Sequence, residues 1–471
     1  MSRSRSRERT EASVSLPFPD DFAFGVATSA YQIEGAVDVD GRCPSVWDHF
    51  CTVPGAVRDG HDGSIACDHY GRLAEDVDLI AGLGVDAYRF STAWPRIVTA
   101  PGHIEERGLA FYDRLVDALL ERGVAPWLTL FHWDLPLWLH HRGGWLDRSI
   151  ADHFAEYTEA VVGRLGDRVK HWITFNEPQC VFGLGHVRGV HAPGLRLDMA
   201  TVSRAIHHGL LAHGRAVSVI RDRVPDAKVG WAPVAFVDYP VRPEARGVAA
   251  AATFRLPQGD EWPFNNTWFT DPVGLGQYPE GADPNLWRGL PAGWERDLET
   301  IGAPLDLWGL NIYRGRPVDV GPDGELVLVS RVPGHGETLM GWSVDPECLY
   351  WGPRFFCERY GKPVAITENG LASMDWVHHD GTIPDLGRVD YLVRHLHALR
   401  RAIADGAEVL GYFQWSLMDN FEWELGYAKR FGLVHVDFET LERTPKESYA
   451  RYAALCHSRG ATLPEDVAPL R

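Results

Sequence analysis

The chain has 471 residues, 45% hydrophobic and 23% charged, the balance of a folded globular protein. With 46 basic against 64 acidic residues its formal net charge is −18, which excludes non-specific binding to nucleic acid or to an anionic membrane surface. Eighteen Trp, 15 Tyr and 20 Phe exceed what a core needs and suit a surface that stacks on flat ligands.

At the start, Met1–Arg9 alternates Ser and Arg with no apolar run behind it, so residues 1–15 read as a solvated tail and not as an export signal. No apolar stretch reaches the ~18 residues of a membrane span. Seven cysteines without CxxC spacing argue against a disulfide framework or a zinc site, and for reduced thiols in a cytoplasmic protein.

Short apolar runs then alternate with segments of helical period. Strands are expected at Phe22–Ser29, Val85–Trp94, Ala125–Trp133, Val169–Glu177, Lys228–Ala235, Asp306–Tyr313, Pro363–Asn369 and Val409–Leu417. Amphipathic helices are expected at Phe111–Arg122, Ala151–Leu165 and Val389–Ala404, with apolar residues recurring at steps of four. Eight near-continuous apolar strands with intervening helices point to one closed parallel (β/α)8 barrel over residues 16–460, with a short tail at 461–471. Phe236–Pro304 and Val318–Cys348 are too long for plain connections. They read as functional loops shaping the mouth of the barrel.

What ends each strand carries the chemistry. WITF runs into Asn176-Glu177-Pro178, VAIT into Glu368-Asn369-Gly370, LTLF into His132-Trp133 and GYFQ into Trp415. Carboxyl ends of barrel strands converge on one mouth, so Glu177 and Glu368 should face each other there. Two convergent carboxyl groups suit glycosidic-bond cleavage, one protonating the leaving oxygen and one meeting the oxocarbenium-like centre. Structural ion pairing is the alternative, and metal binding a weaker one, because no second acid or His stands at ligand spacing.

From Phe18 to about Tyr452 the chain resembles glycoside hydrolase family 1, the β-glucosidase family. The resemblance rests on FPDDFAFGVATSAYQIEGA, YRFSTAWPRI, LTLFHWDLP, TFNEP, HAPG, WFTDP, ITENG, YFQWSLMDNFEWELGYAKRFGLVHVD and RTPKES. It implies a TIM barrel and a retaining O-glycosyl hydrolase that cuts terminal β-D-glucosyl residues, with β-galactosides and β-fucosides tolerated and transglycosylation allowed. It implies Glu177 as general acid/base and Glu368 as nucleophile, the latter held ionised by Arg89 and Tyr313. Asn176 would bond the 2-hydroxyl. Gln32, His132, Trp133, Asn311, Trp415, Glu422, Trp423 and Phe431 would contact the sugar, with Glu422 anionic and hostile to a 6-phosphate. On the aglycone side it implies Trp342, Gln179 and Leu184. Two departures fall there: Gln179 where the family commonly has Trp, and Ile312 where Tyr is common. The expected partner is a small β-glycoside, with no cofactor, metal, nucleic acid or membrane. The oligomeric state is not legible, and a homo-oligomer stays open.

Overall fold

The computed structural model describes residues 18–468 and Leu470; the expected N-terminal tail lies outside them. Numbering only the barrel strands and the main helix after each, the strands are β1 (Ala23–Ala27), β2 (Ala87–Ser91), β3 (Ala125–Phe131), β4 (His171–Asn176), β5 (Lys228–Ala232), β6 (Leu307–Asn311), β7 (Val364–Asn369) and β8 (Val409–Trp415). The helices are α1 (Leu73–Gly82), α2 (Glu106–Glu121), α3 (Ile150–Leu165), α4 (Met199–Arg223), α5 (Trp294–Ile301), α6 (Glu347–Tyr360), α7 (Leu386–Ala404) and α8 (Glu447–His457). All barrel pairings are parallel, each strand lying beside its sequence neighbours, and β1 closes the ring against β8. Strands stop up to three residues short of the apolar runs; the run through Val85–Trp94, for example, ends as a strand at Ser91 and gives way to a helical turn at Trp94–Ile97 that carries Pro95.

The period of two along each strand divides its side chains between two environments. Ala27, Ala87, Trp127, Leu307, Ala365 and Phe413 pack together inside the barrel. Alternate residues such as Phe24, Tyr88, Leu128, Trp172, Trp308 and Ile366 belong to the larger layer shared with the helices. Arg89, two positions after Ala87, therefore shares the inner face and sits toward the carboxyl end.

The long segments are more ordered than loops. Val237–Pro240, from the β5 connection, pairs in parallel with Gly315–Val320 from the β6 connection, and Leu326–Leu328 adds a third strand. This small sheet forms part of the mouth. At the other end, residues after 460 lie along α7 with Leu463 buried, and His397 Nε2 meets the carbonyl of Glu465 at 2.9 Å.

Candidate active site

A cavity of about 660 Å³ opens at the carboxyl ends of the strands, and both Glu177 and Glu368 line it. Glu368, near the end of β7, receives two donors: Arg89 Nη1 at 2.7 Å on Oε1 and the Tyr313 hydroxyl at 2.7 Å on Oε2. Arg89 and Glu368 are both almost wholly withdrawn from solvent, so their attraction is weakly screened. Gly370 follows because a Cβ there would lie 1.8 Å from the Trp415 carbonyl oxygen.

Glu177, the first residue past β4, is held differently. Its side-chain donors are uncharged, Asn311 Nδ2 at 2.8 Å and the Cys180 thiol. Burial, and after it the charge of Glu368, raise its pKa well above the ordinary carboxylate range. Its backbone takes φ +47°, and Trp133 and Trp423 take +82° and +51°, conformations that L side chains adopt only when the surroundings impose them. Three such residues on one cavity mark where the fold sets side-chain direction at a cost.

A hydrogen-bonded chain links the two carboxyl groups. Asn176 Oδ1 accepts from Arg89 Nη2 at 2.6 Å and from Asn311 Nδ2 at 3.0 Å. Asn176 Nδ2 lies 3.1 Å from His132 Nε2, and the Trp133 indole donates to the Asn176 carbonyl at 3.0 Å. Burial first, then Arg89, lower the pKa of His132 far enough to keep it neutral, so Nε2 accepts from the amide and Nδ1 carries the proton. Trp415 lies nearly parallel to His132 at 5.9 Å, and Trp423 packs on Trp133 at 4.4 Å.

Of the residues singled out in the sequence, His132, Trp133, Glu177, Leu184, Tyr313, Trp342, Glu368, Trp415, Glu422, Trp423 and Phe431 line this one cavity. Arg89, Asn176 and Asn311 stand directly behind it, and the Asn311 amide is spent on Asn176, Glu177 and Thr367. Gln32 is buried too; its Nε2 holds Asn420 and the Phe421 carbonyl, next to Glu422.

Three expectations are corrected. Gln179 does not border the cleft: it is buried, its Nε2 donating to the carbonyls of Val234 and Asn265 and its Oε1 accepting from Val234 N–H, each at 3.1 Å. Ile312 is also buried, directed at Gly352 of α6. Glu422 lacks the cationic partner that an anion there calls for: burial, then the charge of Glu424, push its pKa well above the ordinary range.

The sequence reading missed the His191–Glu424 contact, 2.5 Å between Nε2 and Oε2, which ties the β4 connection to the β8 connection at the cavity. HAPG and FEWE both carried that signal. Cys180 also lines the cavity, one turn from Glu177, within a π-helical segment at Cys180–Arg188. Among the described residues no three His, Cys, Asp or Glu side chains cluster to hold a metal, and no helix is long and apolar enough to cross a membrane.

Residues 14–461 match the family model described as Glycosyl hydrolase family 1. Beta-glucosidase A of Thermotoga maritima is 43% identical over 446 residues, spanning 94% of this chain and 98% of that protein. A bifunctional β-D-glucosidase/β-D-fucosidase of Bifidobacterium breve is 39% identical over 472 residues, spanning 93% and 98%. The solved family 1 β-glucosidase from Thermotoga maritima superposes with a TM-score of 0.86 at 42% identity, over 95% of this chain and 100% of that one. With the barrel, the paired carboxyl groups and this breadth of match in agreement, the chain belongs to glycosyl hydrolase family 1.

Proposed function

We propose that the protein is a retaining β-glucosidase that removes terminal β-D-glucosyl residues from small glycosides. The observation that carries this reading is the asymmetry of the two carboxyl groups. Glu368 is held between a guanidinium and a phenol, and Glu177 shares its cavity with a raised pKa and only uncharged donors. Two acids driven apart in this way take separate roles. Glu368 attacks the anomeric carbon as Glu177 passes its proton to the departing oxygen. Glu177 then takes a proton from water, which displaces Glu368 and releases the sugar. A sugar or alcohol in place of that water gives transglycosylation. A sugar-binding barrel without catalysis would need neither the acid nor the nucleophile.

Trp415 offers a face for the sugar ring, and Glu422, whose Oε2 is buried without a partner, offers a hydrogen-bonding group for its hydroxyls. Glu177, Glu368 and Glu424 surround Glu422 electrostatically, which supports an unphosphorylated sugar. The name of the Bifidobacterium breve relative supports tolerance of β-fucosides. All seven cysteines are free, in keeping with a reducing compartment.

Stereochemistry tests the mechanism. NMR in the first minutes of aryl β-glucoside hydrolysis should show the β-anomer, because two displacements restore the configuration. Azide should give the α-glycosyl azide with Glu368→Gly, and the β-azide with Glu177→Ala acting on dinitrophenyl glucoside. An α-sugar as first product overturns the double displacement, and exchanged azide products reverse the two roles.

A further inference from the structure

The lining of the cavity changes from carboxyl groups to guanidinium groups along its length. Its buried end carries Glu177, Glu368 and Glu422, whereas its outer wall carries Arg188, Arg255, Arg314, Arg316 and Arg331. Three of these arginines are committed. Arg188 donates to Glu261 at 2.6 Å, Arg316 grips Asp238 with two bonds of 2.5 and 2.8 Å, and Arg331 holds Asp345 at 2.7 Å. Arg255 and Arg314 form no ion pair among the described residues, and Arg314 feels Asp345 and Glu261, already paired with Arg331 and Arg188, only through space.

The position of Arg314 is informative. It directly follows Tyr313, which donates to Glu368, and its guanidinium carbon lies 5.9 Å from the centroid of the Trp342 ring. Trp342 in turn packs at 5.2 Å from Tyr313. Arg314 therefore stands one layer outside the reacting carboxylate, beside the aromatic surface on the leaving-group side. Although the side chain reaches solvent, desolvation and then the neighbouring Arg331 lower its pKa against the opposing charges of Asp345 and Glu261. Guanidinium groups match the planar fork of a carboxylate. A substrate with a neutral sugar at one end and an anion at the other fits this polarity in one direction only.

We propose that the cavity favours β-glucosides whose aglycone carries a carboxylate, received by Arg314 and Arg255 beyond Trp342. The inference rests on the glucosidase reading and names the substrate class it serves. Two arginines outside any ion pair at the mouth also offset, locally, part of the repulsion that a chain of net charge −18 exerts on an approaching anion.

The test compares the β-glucoside of 3-(4-hydroxyphenyl)propanoate with that of its methyl ester. The propanoate carboxyl is insulated from the phenol, so the leaving groups are matched. The wild type should favour the acid in kcat/KM by about 5-fold at low ionic strength, the size two partly exposed ion pairs supply. The preference should appear in KM and fall toward unity in about 0.5 M salt. Arg314→Gln and Arg255→Gln should each reduce it, and the double variant should abolish it. Equal wild-type values for acid and ester, or a preference that survives in the double variant, overturn the inference. Hydrolysis of neither substrate overturns the glucosidase reading instead.

Discussion

Tyr313 and Arg89 divide the two oxygens of Glu368 between them, so removing one donor leaves half of the carboxylate unsupported. A hydrogen bond to a charged group is worth about 1.5–3 kcal/mol. Tyr313→Phe should therefore lower kcat/KM about 10- to 100-fold while the fold stays intact; steady-state kinetics beside a melting curve checks this, and unchanged kinetics removes Tyr313 from the mechanism. Glu177 carries the opposite burden. In the unfolded chain it titrates as an ordinary Glu, but in the folded protein burial and Glu368 raise its pKa. The folded state holds that proton more tightly, so stability is lost as pH climbs from the ordinary Glu range through the raised value. Glu177→Gln has no such proton to lose. Its gain in Tm over the wild type should grow between about pH 5 and about pH 8. A difference in Tm that does not vary with pH contradicts the shift.

At the scale of elements, the connections do more than link strands to helices. The β4 connection starts with Glu177 at positive φ, turns through the π-helical segment and is anchored by Gln179 to Val234 and Asn265. Gln179→Ala leaves three buried backbone groups without partners. It should cost about 2–4 kcal/mol of stability in denaturant titration and change KM for aryl glucosides by less than about twofold. A large change in KM with intact stability would return residue 179 to the cleft. Strand positions and the barrel were legible because near-continuous apolar runs and the amphipathic helices between them are local patterns. That Gln179 turns away from the cleft was not legible, since the direction of a side chain in an irregular connection depends on which distant carbonyls meet it. Ile312 misled for the same reason, its buried side being set by Gly352 of α6.

Across the whole molecule, a buried ionic network joins segments that sequence keeps far apart. Lys446, in RTPKES at the start of α8, donates to Asp375 at 2.6 Å and Asp419 at 2.7 Å. Arg388 of α7 also bonds Asp375, at 2.7 Å, and pairs with Asp385. Burial alone would raise Asp375, but Arg388 and Lys446 outweigh it and hold its pKa at about 2. Such a network fastens α7 and α8 to the connections after β7 and β8. Lys446→Met removes one cation and leaves its carboxylates short of a partner, which should cost about 3–5 kcal/mol in chemical denaturation. Below the new transition, kcat should be retained, because Lys446 does not line the cavity. Loss of activity at unchanged stability would contradict this structural role.

Residue order alone determined the barrel, the strand ends that carry Glu177 and Glu368, and the family resemblance, because each is written in local period or in short contiguous motifs. Tertiary structure decided what surrounds those residues. Asn311 joins Asn176 to Glu177, His191 meets Glu424, and Val237–Pro240 pairs with Gly315–Val320 between two long connections. It also left Arg255 and Arg314 at the mouth outside any ion pair and buried Glu422, which raises its pKa. Partner choice, burial and pKa depend on distances between groups hundreds of residues apart, and those distances exist only once the ring of strands has closed.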